Sequence, residues 1–350
     1  MLRGYWPAPY YLLALWLCLF GCFSGASLAA EQAPGVQLLW PPAPLQPRIR
    51  YEGAIASPDD IERKKGFWDK FWEFVRGEEE DDQRKPMAVT ADSQGRLIVA
   101  DPAGKQIHVY DQQAGKYLRI LDADVPLEQP MGVAVDAEDR IYVVDSALKK
   151  IFVFSREGDY QQSIGEPGQL QRPTNISVDK SRQLLYVVDT PAHDIKVFGL
   201  AAGALLRTVG ERGRGQGEFN YPSYAAVDAA GRLYVNDAIN GRIQMFDPDG
   251  TFVGLFGQFG DGSGDFSAPK GVAVDSEGHI YVADAGFDNI QIFDASGRLL
   301  LYFGGSGQAP GEFWMPTGLF MDQKSDRLYV ADSYNKRVQI FQYLKAEVKR

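Results

Sequence analysis

Six times along its 350 residues the chain repeats one phrase, and that repetition constrains its fold more than any other feature. The clearest copy reads Pro269-Lys-Gly-Val-Ala-Val-Asp275, then Gly278-His-Ile-Tyr-Val-Ala-Asp284, Ile290-Gln-Ile-Phe-Asp294 and Leu300-Leu-Tyr-Phe-Gly304. Degenerate copies open at Pro86, Pro130, Pro173, Pro222 and Pro316, spaced by 43 to 49 residues. A period of that size marks an array of one supersecondary unit that cannot bury its apolar face alone.

Each of the first five copies divides into four short apolar runs with β character. In the fourth copy these are Tyr224 to Asp228, Arg232 to Asn236, Arg242 to Phe246 and Thr251 to Phe256. The turns Ala229-Ala-Gly-Arg232 and Pro248-Asp-Gly250 supply Gly and Asp where a tight hairpin needs a positive φ or a local side-chain bond. The expected fold is therefore all-β: a six-bladed β-propeller of four-stranded antiparallel blades packed radially about a channel. The sixth copy runs through Val338 to Phe341 without a fourth strand. The alternating segment Arg48 to Ala56 is its donor, and pairing the two removes exposed edges and closes the ring.

The Pro-x-Gly-x-Ala-Val-Asp, Gly-x-Ile-Tyr-Val-Ala-Asp and Arg-Ile-Gln-x-Phe phrases resemble the NHL repeat of six-bladed propellers. All six copies share the resemblance, although copy one has Met87-Ala-Val-Thr for the glycine phrase and copy three has Asn175 in place of glycine. Some propellers of this type are zinc-dependent lyases acting on peptidyl hydroxyglycine, and others bind RNA through a basic, aromatic face.

The segments outside the repeats carry their own signals. Residues 1–30 pair Arg3 with an apolar run from Tyr10 to Phe23 and the small residues Ser27-Leu-Ala29, the pattern of a secretory signal peptide. Leu19-Phe-Gly-Cys22 also resembles a bacterial lipobox, which makes Cys22 a lipidation candidate beside ordinary cleavage near Ala29 or Ala30. The expected location is thus periplasmic, outer-membrane lipoprotein or extracellular. Residues 31–47 read as a Pro-rich linker, and residues 48–85 as the closing strand, a short amphipathic helix and an acidic run. In that helix Phe67, Trp68, Phe71 and Trp72 fall on one face, as a docking element or as a face packed on the propeller. The repeats occupy residues 86–350.

Net charge of −10 argues against a nucleic-acid partner, which requires clustered Lys and Arg. Strand direction alternates within a blade, so the second-to-third turns and the fourth-to-first loops share one face. That loop face is the candidate partner-binding surface, with Lys150, Asp194, Tyr224, Arg242, Asn289, Trp314 and Arg337 as its site residues. The aspartates ending first and second strands recur in every copy, which points to turn capping rather than catalysis. No catalytic residue and no cofactor is expected, with a central Ca²⁺ or Zn²⁺ left open. His108, His193 and His279 fall at different places in their blades and do not suit one zinc. The reading is a non-enzymatic exported or lipid-anchored scaffold that binds an envelope protein, peptide or glycan. The alternative is a metal-dependent lyase or hydrolase at the channel mouth.

Overall fold

A computed structural model describes residues 37–61, 84–120 and 125–346, and within them the chain forms six antiparallel sheets. The innermost strands are Ala88–Ala91, Pro130–Val135, Pro173–Asp179, Pro222–Val227, Pro269–Val274 and Pro316–Asp322. Each pairs with its own second strand and packs against the inner strand of the next blade. The sixth returns to the first, so the ring is closed.

Burial follows from this radial order. Second strands such as Ile141–Asp145 and Ile280–Asp284 are sandwiched between blades and buried at every position. They therefore read as continuous apolar runs rather than alternating ones. Fourth strands form the outer edge, so Phe252–Phe256 and Leu299–Gly304 alternate between exposed and covered positions. The core consists of separate inter-blade clusters. In one, Tyr281, Ala283, Ile290 and Phe303 meet Leu328, Val330 and Phe341 of the next blade. Full burial of each such large apolar side chain stabilises by roughly 1.5–3 kcal/mol.

The recurrent Tyr in the second strand has a polar duty as well. Tyr142, Tyr234 and Tyr281 donate to Asp136, Asp228 and Asp275 at 2.9, 3.1 and 3.0 Å. Those aspartates also accept the amides of their own hairpin turns, as Asp136 does from Glu138 and Arg140. Burial and the neighbouring carboxylates push all three phenols upward in pKa.

Closure matches the sequence expectation. Ile49–Ile55 lies antiparallel to Arg337–Tyr343, with Ile49 opposite Tyr343 and Ile55 opposite Val338. The Pro-rich stretch departs from a plain spacer: Leu39–Trp40 adds a fifth strand outside the closing one. Trp40 explains this, since its ring packs against Phe303 and Phe341 at 5.5 and 6.0 Å. The signal-peptide and lipobox readings, including Cys22, lie outside the described residues, as does the segment expected to form a helix with Phe67, Trp68, Phe71 and Trp72.

Candidate functional site

The channel is narrow because the repeat phrase makes it so. A Cβ on Gly271 would sit 2.3 Å from the Thr317 carbonyl oxygen, and one on Gly132 would sit 2.9 Å from the Asn175 Cα. Glycine is thus the residue that lets adjacent inner strands approach. At the equivalent position the third and fourth copies carry Asn175 and Tyr224. Asn175 Oδ1 accepts the Ala225 amide at 2.9 Å, joining two blades. Tyr224 reaches further: its hydroxyl donates to the Met87 carbonyl in the blade directly opposite. Beyond this bar a cavity of about 110 Å³ remains, lined by the inner strands and including Thr90, Ser177, Lys180 and Gln323.

Around the same rim, side chains from one blade bind carbonyls of the next. Ser146 donates to Pro173, Thr190 to Pro222 at 2.6 Å, Asn236 to Pro269 at 2.8 Å, and Ser333 to Pro86. The last of these joins the sixth blade to the first.

The aspartates that end second strands organise the loop face. Asp145 accepts the amides of Glu128, Gln129, Ala147 and Leu148, so one carboxylate holds both a second-to-third turn and the incoming inter-blade loop. Asp284 does the same with Ser267, Ala268, Gly286 and Phe287. The glycine-rich inter-blade loops are therefore not slack connectors. Phe219, Phe266 and Phe313 are wholly buried beneath them, and Glu218 and Glu312 cap amides within them.

The seven site residues expected from the sequence divide by what they touch. Arg242 and Arg337 belong to this scaffold. Arg242 binds Asp237 at 2.8 Å and donates to the Gly215 and Glu218 carbonyls. Arg337 binds Asp332 at 2.8 Å and donates to Gln308, Ala309 and Glu312. Asp194 is buried and ion-paired with Lys196, and desolvation raises its carboxyl pKa despite that partner. Asn289 is half-buried, with its Oδ1 lacking a hydrogen-bond partner. Tyr224 lies in the channel rather than on the surface. Lys150 and Trp314 are exposed on the loop face.

Besides Trp314, that face exposes apolar side chains absent from the sequence-based set. Tyr221, Phe259 and Trp314 stand on successive inter-blade loops at 46%, 50% and 46% exposure, while Ile239 and Tyr334 stand on turns at 56% and 45%. Trp314 and Tyr334 form a tilted pair 5.5 Å apart, and the Lys85 ammonium lies 5.1 Å from the Tyr334 ring centre. Tyr221 packs on His193, whose Nδ1 accepts the Tyr221 amide at 3.1 Å. A usable signal was present, because each of these residues breaks the Gly, Ser, Ala or charged pattern of its turn.

The three histidines are separately engaged. His108 lies between Asp101 and Tyr117, His193 binds Tyr221, and His279 binds Asp275 at 2.9 Å. Among the described residues no three His, Cys, Asp or Glu side chains converge as a metal-binding group.

Comparison with known families agrees with this geometry. An NHL-repeat family profile matches residues 266–293 and 313–341, and a 6-bladed beta-propeller profile matches residues 122–208. The chain carries NHL repeats on a six-bladed propeller. NHL repeat-containing protein 3 of Mus musculus is 31% identical over 108 residues, which are 28% of this chain and 31% of that protein. The chain thus spans about a third of the length of that relative. Among solved structures, streptogramin B lyase superposes with a TM-score of 0.57 at 13% identity, covering 76% of this chain and 95% of the lyase. A gluconolactonase from Xanthomonas campestris gives 0.57 at 19% identity, covering 75% and 86%. At such identities the likeness of the NHL propeller to these two enzymes is one of fold.

Proposed function

We propose that this NHL propeller is a non-enzymatic recognition scaffold whose loop face binds a polypeptide, with export to the cell envelope suggested by the pattern of residues 1–30. The observation that carries this reading is the set of exposed side chains Tyr221, Ile239, Phe259, Trp314 and Tyr334 on one end of the ring. Exposed aromatics on rigid loops supply contact area at low entropic cost, and such residues dominate the energetics of protein interfaces. Aliphatic Ile239, with Leu148 exposed on the same face, favours a polypeptide over a sugar, because an aliphatic chain offers no flat face for stacking. The charged groups around them support the same view, since Arg242, Arg337 and the strand-end aspartates hold loops in place.

The lyase and lactonase neighbours do not bring their chemistry with them, because the likeness is confined to the fold. The reading is tested by selecting ligands from a displayed random peptide library and from a glycan array. Selected peptides should bind the parent and lose on the order of tenfold or more in affinity to Trp314→Ala/Tyr334→Ala, as for truncation of an interface hot spot. Unchanged peptide affinity in a folded double variant, or selection of glycans alone, would contradict it.

A further inference from the structure

Away from the channel and the loop face, a recess of about 500 Å³ opens on the outer side of the fifth and sixth blades. Its lining combines Arg48, Glu277, His279 and Tyr343 with the leucines 45, 300 and 301. Leu45 and Leu300 are 64% and 44% exposed and give the recess an apolar wall. The volume lies within the range of small-molecule sites, which pair an apolar wall with a few placed polar groups.

The polar groups differ in whether they are engaged. Glu277 accepts the Tyr343 hydroxyl at 2.5 Å, and the Nδ1 of His279 binds Asp275. Arg50, two residues along the closing strand, is paired with Glu52 at 2.6 Å. The Arg48 guanidinium has no hydrogen-bond or ion-pair partner among the described residues. It also faces a partial like charge, since Arg48 acts electrostatically on His279. A planar guanidinium at the mouth of an apolar recess matches a carboxylate, which it can bind through two parallel hydrogen bonds.

We infer that this recess is a second binding site that takes a small amphipathic carboxylate, its head on Arg48 and its alkyl body along Leu300 and Leu301. The site is separate from the loop face and stands or falls apart from the proposal made for that face.

Titration calorimetry on the full chain tests it with decanoate, decanol and decylammonium as probes. Saturable decanoate binding is expected, with decanol and decylammonium at least tenfold weaker. Arg48→Gln should weaken decanoate on the order of tenfold, the scale of one charge-assisted interaction, and Arg50→Gln should leave it unchanged. Equal binding of decanol would reduce the site to an apolar surface. Preference for decylammonium would place Glu277, not Arg48, in charge. Either result, or decanoate binding unaffected by Arg48→Gln, overturns the assignment, and the probe comparison does so without relying on any variant.

Discussion

The hydroxyl of Tyr224 in the fourth blade donates to the main-chain carbonyl of Met87 in the first, so one side chain spans the channel between opposite blades. The contact rests on a change in the repeat, since Tyr224 occupies the place that glycine holds in three other copies. Tyr224→Phe should therefore lower stability by about 1–3 kcal/mol, the cost of leaving a buried polar group unpaired. Urea unfolding midpoints measure this, and an unchanged midpoint would mean that the bond contributes nothing in solution.

Glycines of the repeat phrase should respond according to what surrounds them. Gly271→Ala places a methyl 2.3 Å from Thr317 carbonyl oxygen and 2.7 Å from the Leu319 amide, both backbone atoms that cannot step aside. A loss of roughly 1–3 kcal/mol or more is expected from such overpacking. Gly305→Ala meets nothing within 4 Å and should be close to neutral. Thermal melts of the two variants side by side check the contrast, and equal melting temperatures would refute it.

His279 should give its turn a pH dependence that an arginine in the same position would not. Arg96, Arg140 and Arg232 hold the equivalent position and bind their turn aspartates at 2.6, 2.7 and 2.8 Å. The hydrogen bond to Asp275 raises the pKa of His279 above its ordinary value, against partial burial, with the charges of Asp275 and Glu277 adding to the rise and Arg48 opposing it. A group whose folded pKa is raised stabilises fully below its unfolded value of about 6.5, and that stabilisation fades as pH climbs through the folded value. The parent should lose stability between about pH 6 and 8 relative to His279→Arg. Parallel pH profiles of the melting temperature would contradict this.

Deleting Arg48 to Ala56 should destabilise all six blades, because it strips the sixth of a paired strand and exposes the edge of Arg337–Tyr343. Ile49 and Ile55, both buried, leave the core with it. A truncated chain that melts at the parental temperature would show that closure does not depend on this strand.

These cases also mark where sequence reading succeeds. The blade count, the four-strand unit and the closing strand follow from periodicity, because each blade must present the same apolar faces to its neighbours. Tyr224 is different: its position in the phrase is legible, but nothing in a strand pattern tells how wide the channel is. Arg242 and Arg337 show a second limit, since an arginine bound to loop carbonyls reads the same in sequence as one facing solvent. Tyr221 and Phe259 break the pattern of their loops, yet that signal is ambiguous for the converse reason. An aromatic residue in the same loop as buried Phe219 or Phe266 reads equally as core, and the loop geometry decides that it turns outward.

The central claim is that the loop face is the recognition surface. Hydrogen–deuterium exchange of the propeller with and without a selected peptide tests it most directly. Protection should appear in residues 211–221, 258–268 and 305–315 and in the turns bearing Ile239 and Tyr334. Protection confined to the opposite face, around the hairpin turns 92–96, 136–140 and 228–232, would contradict it.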